Sequence, residues 1–133
     1  MFKTYKCVVC SKESRFKHSK SNLYCSQTCQ LKKQRSDIIE NWLSGGKKSV
    51  WKYSIPAWAK NYLIEQRGYA CEICAISEYN NKPLMLQVDH INGDATNNFP
   101  DNLQLICPNC HSQTESYAGA NRGNGRTNRR KVA

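Results

Sequence analysis

The sequence predicts a small α+β fold that is held together at its cysteines rather than by one large apolar core. Three observations carry this prediction. The chain has 133 residues, a hydrophobic fraction of 39% and a mean hydropathy of −0.73, which leaves little apolar material for a core. Eight cysteines form two groups of four, one between residues 7 and 29 and one between residues 71 and 110. Segments with helical apolar spacing and segments with alternating apolar residues both occur along the chain, so helices and strands are expected.

The first group of cysteines predicts a zinc-binding module over residues 1–35. Two cysteine pairs are separated by a loop of 14 residues, and the pairs are Cys7 with Cys10 and Cys25 with Cys29. That loop is polar and basic and could not fold by apolar burial alone. Four thiolates at this spacing complete a tetrahedral structural zinc site. His18 is the alternative ligand within the loop, and with four cysteines present we assign it no metal.

Whether the cysteines bind metal or form disulfides depends on the redox state of the compartment in which the protein resides. The first residues of the sequence carry no signal-peptide pattern, and no apolar run approaches the length of a membrane span. We therefore expect a cytoplasmic protein without a membrane partner, in surroundings that keep thiols reduced. Reduced thiols at these spacings favour zinc over the alternative of disulfides.

Residues 36–68 are predicted to form a helical and basic connecting region. A short first helix is expected to begin at Ser36 and Asp37, which can cap it, and to end at residues 44–46. A second helix is expected to begin near Pro56 and to end at Gly68. The apolar stripes of the two helices are Ile38, Ile39, Trp42 and Leu43, and Ile55, Trp58, Ala59, Tyr62 and Leu63. Their aromatic residues could stack on nucleic-acid bases, but core packing is the favoured interpretation.

Residues 69–118 are predicted to form a second zinc-bound domain in the order strand, loop, strand, helix. The first strand is expected at residues 84–88, which alternate, and a turn at Asn92-Gly93-Asp94 follows it. The second strand is expected at residues 103–106, and a helix begins at about Pro108. Two C-x2-C pairs make a closed four-thiolate zinc site in this domain, and its ligands are Cys71, Cys74, Cys107 and Cys110.

Beside these cysteine pairs lie side chains that suit metal-assisted hydrolysis. Asp89 offers a hard oxygen ligand and His111 an imidazole nitrogen, a pair that suits Mg²⁺ or Mn²⁺. His90 follows Asp89 in the sequence and can act as general base towards water. Asn102 is expected to accept a hydrogen bond from a ring nitrogen of His90 and to fix its tautomer. The simpler alternative for Asp89 and His90 is a turn-capping carboxylate beside a packed histidine.

The adjacency of Asp89 and His90 sets a geometric requirement. Alternation along a strand sends successive side chains to opposite faces, yet both must reach one phosphate. A bend or bulge at the strand end, before residues 92–93, is therefore expected to re-aim one of them. Loop-shaping roles without catalysis are assigned to Asn97, Asn98 and Asp101.

Charge is unevenly distributed along the chain, whose formal net charge is +10. Residues 1–67 hold fourteen basic and four acidic side chains, residues 68–118 hold one basic and six acidic, and residues 119–133 hold five basic and none acidic. Basic flanks suit a nucleic acid, and an acidic centre suits a cation. The residues predicted to contact nucleic acid are Lys47, Lys48 and Lys52 in the connecting region, and Arg122, Arg126, Arg129 and Arg130 in a flexible basic tail, residues 119–133.

Three segments resemble the HNH nucleases with the ββα-metal fold, in the branch of that family that carries zinc knuckles. The segments are Val88-Asp89-His90-Ile91-Asn92-Gly93-Asp94, Asp101-Asn102-Leu103 and Cys107-Pro108-Asn109-Cys110-His111. The three name-giving positions of the family fall on His90, Asn102 and His111. The resemblance covers residues 69–118 and leaves residues 1–68 unexplained, although phage-encoded homing-type members often carry small zinc or helical DNA-binding modules.

The resemblance implies a treble-clef-like ββα-metal domain that hydrolyses phosphodiester bonds of double-stranded DNA. His90 would activate water, and Asp89 and His111 would hold Mg²⁺ or Mn²⁺ beside the phosphate. The products would carry 5′-phosphate and 3′-hydroxyl ends. We expect a homing-type or free-standing phage nuclease, a monomer or weak dimer, in the cytoplasm of a bacterial host. The alternative is a non-catalytic zinc-ribbon DNA-binding module, or an accessory subunit of a phage DNA-processing machine.

Overall fold

The computed structural model describes residues 2–18, 21–45, 54–115 and 117. All seven residues predicted to contact nucleic acid lie outside these ranges, namely Lys47, Lys48, Lys52, Arg122, Arg126, Arg129 and Arg130. The chain divides into two compact units, Met1–Glu40 and Asn41–Ala133. None of the helices within the described ranges is long and apolar enough to cross a membrane.

The first unit contains a short antiparallel hairpin, followed by the start of a helix. Strand β1 (Thr4–Lys6) pairs with strand β2 (Glu13–Arg15). The hydroxyl group of Tyr5 donates a hydrogen bond to the carbonyl oxygen of Tyr24 at 2.7 Å. This bond ties the hairpin to the segment that carries the second pair of cysteines.

Helix α1 (Gln27–Leu43) is longer than the sequence predicts, and the expected helix start at Ser36 was wrong. The actual cap is Ser26, whose Oγ accepts a hydrogen bond from a backbone N–H of the first turn at 3.3 Å. Asp37 does not cap a helix but pairs with Lys33 one turn earlier, at 2.5 Å. No glycine or proline interrupts the segment, so the helix continues through the predicted domain boundary between residues 35 and 36.

Helix α2 (Ala57–Arg67) has the limits that the sequence predicts. Pro56 directly precedes its first residue, where the missing N–H of proline removes no helical hydrogen bond. Gly68 ends the helix with a φ of 90°, a conformation that residues with a side chain rarely adopt. The N–H of Gly68 donates to the carbonyl oxygen of Ile64 at 2.8 Å, which gives this carbonyl group of the last helical turn a hydrogen-bond partner.

The aromatic residues of the α2 stripe pack in the core of the second unit. The buried core residues are Trp42, Ala59, Leu63, Leu103 and Leu105. The rings of Trp58 and Tyr62 meet the ring of Trp42 edge to face, with centroid distances of 5.6 and 5.7 Å. The core interpretation of this stripe is therefore confirmed. The stripe of α1 is narrower than predicted, since only Ile39 and Trp42 of its four residues are buried.

Four short strands and a helix follow α2. Strand β3 (Glu78–Tyr79) pairs with β4 (Lys82–Pro83) in a small hairpin that the sequence analysis does not predict. Strand β5 (Gln87–His90) pairs antiparallel with β6 (Leu103–Ile106), and helix α3 (Pro108–Ser112) follows directly. The predicted second strand and final helix are confirmed.

The predicted first strand, residues 84–88, is displaced along the chain. Strand pairing begins only at Gln87. Leu84 and Leu86 instead pack against cysteines of the second quartet, and Leu86 is fully buried there. The alternation of these leucines therefore reflects packing around the cysteines and not strand pairing, and the strand predicted at residues 84–86 is not formed.

Asp89 and His90 point to opposite faces of the β5–β6 hairpin. The register pairs Asp89 with Gln104 and His90 with Leu103 without interruption. Of the bend or bulge expected at the end of this strand, the bulge is not found between Gln87 and His90, because β6 supplies one partner for every residue of β5. His90 thus shares the face of the buried core residue Leu103, and Asp89 shares the face of Gln87.

Arg67, the last residue of α2, fixes the position of β6. Its guanidinium group donates to the carbonyl oxygens of Leu103 at 2.7 Å and Pro100 at 2.9 Å. It also forms an ion pair with Glu72 at 3.3 Å. Glu72 in turn accepts a hydrogen bond through its carboxylate from the backbone N–H of Leu105, and its own N–H donates to the carbonyl oxygen of Leu105 at 2.8 Å. Helix α2 and the first cysteine pair of this unit therefore hold the hairpin from its β6 side.

Candidate metal and active site

The sulfur atoms of each cysteine quartet converge, and within each quartet they lie within 4.8 Å of one another. The quartets are Cys7, Cys10, Cys25 and Cys29, and Cys71, Cys74, Cys107 and Cys110. Sulfur–sulfur distances are 3.5 Å for Cys10 and Cys25, 3.7 Å for Cys25 and Cys29, and 3.8 Å for Cys74 and Cys107. Sulfurs bound at about 2.3 Å to a tetrahedral zinc lie about 3.8 Å apart, so both quartets could hold zinc.

Two thiols of the second quartet, Cys71 and Cys110, have their pKa values shifted in opposite directions from the usual value of cysteine. Burial alone would raise the pKa of Cys71, but backbone N–H groups of Cys74 and Cys107 donate to its sulfur and lower the pKa to about 6. Burial and the neighbouring thiol of Cys107 raise the pKa of Cys110 to about 12. A divalent cation at the centre allows all four sulfurs to be thiolates at once.

We expect the purified chain to contain about two zinc ions per molecule, because each quartet supplies four thiolates. Mild EDTA treatment should leave this zinc in place, since closed structural sites bind zinc tightly. Elemental analysis before and after EDTA measures both quantities. As a matched control, the double variant Cys7→Ser, Cys10→Ser should contain one zinc. One zinc or none in the unmodified chain, with cysteines paired as disulfides, would contradict the assignment.

Asp89 and His111 approach each other on one face of the hairpin. Asp89 is buried, its Oδ1 lies 3.5 Å from Nε2 of His111, and its Oδ2 accepts a hydrogen bond from the side chain of Gln104 at 2.9 Å. Nδ1 of His111 lies 2.6 Å from the side-chain oxygen of Gln87. Because that oxygen can only accept, the proton of the neutral ring lies on Nδ1 and the lone pair on Nε2. A carboxylate oxygen and an imidazole lone pair thus face each other, as a divalent cation requires.

His90 lies half-buried on the other face of the hairpin, and its hydrogen-bond partner differs from the predicted one. Its Nε2 lies 2.8 Å from Oδ1 of Asn98, which is only 1% exposed. The predicted hydrogen bond between Asn102 and His90 was wrong. The structure therefore brings Asp89 and His111 together on one face, places His90 on the opposite face at the next position of β5, and separates Asn102 from the His90 ring.

Asn102 closes the loop between the two strands instead. Its Nδ2 donates to Oδ1 of Asn92 at 2.9 Å and to the carbonyl oxygen of Asn97 at 2.8 Å. Its Oδ1 accepts from the backbone N–H of Asn92 at 3.1 Å. Asn102 ends the 3₁₀ turn Pro100–Asn102 directly before β6, so its side chain meets the turn that follows β5 rather than the ring of His90.

Asn98 is the site residue that sequence reasoning missed. It lies in a polar loop, where asparagine is an ordinary turn residue and no periodicity marks it as buried. Its burial depends on Trp42, 56 residues earlier, whose Nε1 donates to the carbonyl oxygen of Asn98 at 2.6 Å. No signal within the loop could have indicated this contact.

Comparison with known proteins gives a domain-level match. The family model described as HNH endonuclease matches residues 71–116. The chain is also similar to the H-N-H endonuclease F-TflIV of Escherichia phage T5, with 39% identity over 66 residues. That alignment covers 48% of this chain and 29% of the relative, so the chain spans less than a third of the length of the curated relative it matches. No solved structure matches the chain.

Proposed function

We propose, from the match of residues 71–116 to the HNH endonuclease family model, that the chain is a metal-dependent endonuclease that cuts double-stranded DNA. The observation that carries the proposal is the approach of Asp89 Oδ1 to His111 Nε2 at 3.5 Å, with His90 on the adjacent position of β5. The order of β5, β6 and α3, with cysteine pairs before the hairpin and at the helix start, supports a treble-clef-like ββα-metal fold. Residues 69–118 would form the nuclease domain and residues 1–35 the zinc module.

The residues around Asp89 and His111 fit a hard divalent cation. The carboxylate and the imidazole lone pair would hold Mg²⁺ or Mn²⁺, with Gln87 orienting the His111 ring and Gln104 the carboxylate. The cation would supply charge stabilisation to the phosphate in the transition state. Two protein ligands leave positions open for the substrate, in contrast to the closed cysteine quartets.

His90 is proposed as the general base. Among the described strands β5 pairs only with β6, and we propose that the substrate lies along the other edge of β5. A phosphodiester at that edge would be flanked by Asp89 on one face and His90 on the other, which needs no bulge. His90 would take the proton of the attacking water, and in-line departure of the 3′ oxygen would leave 5′-phosphate and 3′-hydroxyl ends.

A plasmid-nicking assay with Mg²⁺ and with EDTA tests the proposal. Conversion of supercoiled plasmid to open or linear forms with Mg²⁺, and its loss in EDTA, is the expected result. Binding to plasmid without any cut in Mg²⁺ or Mn²⁺ would contradict it and support the alternative, a non-catalytic zinc-ribbon module or an accessory subunit of a phage DNA-processing machine. Agarose gels with a ligase-repair step also report the proposed end chemistry, because ligase joins only 5′-phosphate to 3′-hydroxyl ends.

The biological source of the chain and its cellular compartment are proposed from the matched relative and from the need to keep the cysteine thiols reduced. The matched relative is a phage protein. A phage homing-type nuclease, monomeric or weakly dimeric, would act in the cytoplasm of a bacterial host, where the eight cysteines stay reduced and available to zinc.

We further propose that the basic flanks supply the affinity for DNA. The nuclease segment is acidic, and four thiolates around a zinc add a net charge of −2, so phosphate is repelled from it without the flanks. The proposed contacts are Lys47, Lys48, Lys52, Arg122, Arg126, Arg129 and Arg130.

Replacing the four arginines of the basic tail with glutamine should weaken DNA binding and flatten its salt dependence. For each phosphate that the variant no longer neutralises, the slope of log affinity against log salt concentration should decrease by about 0.9. Cleavage at high enzyme concentration should persist, since Asp89, His90 and His111 remain. Binding measured over a salt series for the full-length variant and for the unmodified chain checks this, and the equal chain length controls for truncation effects. An unchanged slope would show that the tail does not hold DNA.

A further inference from the structure

We infer that Asn98 is a positioning residue for His90, which holds the ring with its proton on Nε2 and leaves Nδ1 as the nitrogen that takes a proton from water. The inference rests on the proposed function, because it names the basic atom of the proposed general base. It replaces the role that sequence analysis assigned to Asn102.

The contact between Asn98 and His90 selects one tautomer. Oδ1 of Asn98 lies 2.8 Å from Nε2 of His90, and an amide oxygen only accepts hydrogen bonds. Nε2 must then carry the proton, and a neutral imidazole has its lone pair on the other nitrogen. When Nδ1 takes a proton, Nε2 still donates to Asn98, and the bond becomes charge-assisted. The hydrogen bond to Asn98 is therefore compatible with both the neutral and the protonated ring of His90.

Packing holds the amide of Asn98 where this bond requires it. Asn98 is 1% exposed, so water does not compete for Oδ1. Its carbonyl oxygen accepts a hydrogen bond from Nε1 of Trp42 at 2.6 Å. Trp42 is itself 1% exposed and packs against Trp58 and Tyr62. The core of the second unit thus anchors the backbone of Asn98 and, through it, the ring of His90.

Stability alone does not account for an asparagine at this position. Its Nδ2 is buried and has no hydrogen-bond partner within the described part of the chain. A buried donor without a partner destabilises the folded state, and a leucine of similar volume would not carry that penalty. The amide side chain contributes only through its oxygen, and the one side chain that this oxygen meets is His90.

Two substitutions of similar shape separate the positioning role from a packing role. Asn98→Asp keeps an acceptor oxygen and removes the unpartnered donor, so kcat should stay within about tenfold of the unmodified chain. Asn98→Leu keeps the volume and removes the acceptor, so kcat should fall about 10- to 100-fold, with KM for DNA unchanged. Asn97→Ala is the matched control, because the side-chain oxygen of Asn97 accepts from the backbone N–H of Phe99, and this variant should cleave as the unmodified chain does.

The ring of His90 provides a readout that does not depend on cleavage. Nitrogen-15 spectra of the full-length protein report which ring nitrogen carries the proton, and His18 and His111 are the only other histidines to assign. We expect a protonated Nε2 in the unmodified chain and in Asn98→Asp, and a mixture of tautomers in Asn98→Leu. If Asn98→Leu does not fold, the spectrum of the unmodified chain still tests the inference, because it shows which ring nitrogen of His90 carries the proton.

Two results would overturn the inference. One is a proton on Nδ1 of His90 in the unmodified chain, and the other is full activity of a folded Asn98→Leu variant beside an inactive His90→Ala variant. Full activity of His90→Ala would instead refute the proposed general base, while the nitrogen-15 spectrum would still test the contact with Asn98.

Discussion

Replacing His90 with alanine is expected to reduce DNA cleavage about 10²- to 10⁴-fold, because loss of a general base typically costs that factor. The substitution removes the ring of the residue that follows Asp89 in β5 while leaving the proposed cation ligands in place. His90 lies on the face of the hairpin opposite Asp89 and His111, so the metal site should keep its geometry. Single-turnover cleavage of plasmid at saturating Mg²⁺ measures the effect.

The control for this prediction is His18→Ala. His18 is exposed in the first unit, in the loop between the two cysteine pairs of the sequence, and we assign it neither metal nor substrate. Its replacement should leave cleavage unchanged, and both variants should bind DNA and melt as the unmodified chain does. Activity of His90→Ala within about twofold of the unmodified chain, a difference of less than about 0.5 kcal/mol in the barrier, would remove His90 from the mechanism.

The second large effect is expected for Cys107→Ser, which should unfold the domain at residues 69–118. Cys107 is 2% exposed, and its sulfur accepts a hydrogen bond from the N–H of Cys110 at the start of α3. Structural zinc contributes about 10–16 kcal/mol to small zinc-bound peptides, and whole domains are stable by only about 5–15 kcal/mol. Loss of one thiolate should therefore outweigh the remaining core, which is small here.

The comparison variant for this prediction is Cys7→Ser, which lies in the first quartet. It should disorder the first unit and leave the amide spectrum of β5, β6 and α3 intact, because the core around Trp42 contains no residue of the first quartet. Zinc content and two-dimensional amide spectra of both variants are the measurements. Global unfolding of both variants alike would show that the two units form one cooperative structure.

Several helices, strands and cysteine sites of this protein could be predicted from the sequence alone, because they depend on residues that are close together in the chain. Pro56 and Gly68 set the limits of α2 because both act through their own backbone geometry. The spacing of the cysteines predicted the two quartets whose sulfurs converge, since the two residues of a C-x2-C or C-x3-C pair are close together in the chain. The short strand β6 and helix α3 also follow from residues adjacent in the chain.

Only the tertiary structure decided the parts that depend on residues far apart in the chain. Strand β5 begins late because Leu84 and Leu86 pack against the cysteines, a contact that alternation in the sequence cannot distinguish from strand pairing. The partner of His90 is Asn98 rather than Asn102 because Trp42 anchors the loop from 56 residues away. Side-chain hydrogen bonds in a loop form between the donors and acceptors that packing of the core brings within about 3 Å of each other. The local sequence of the loop does not show which groups these are.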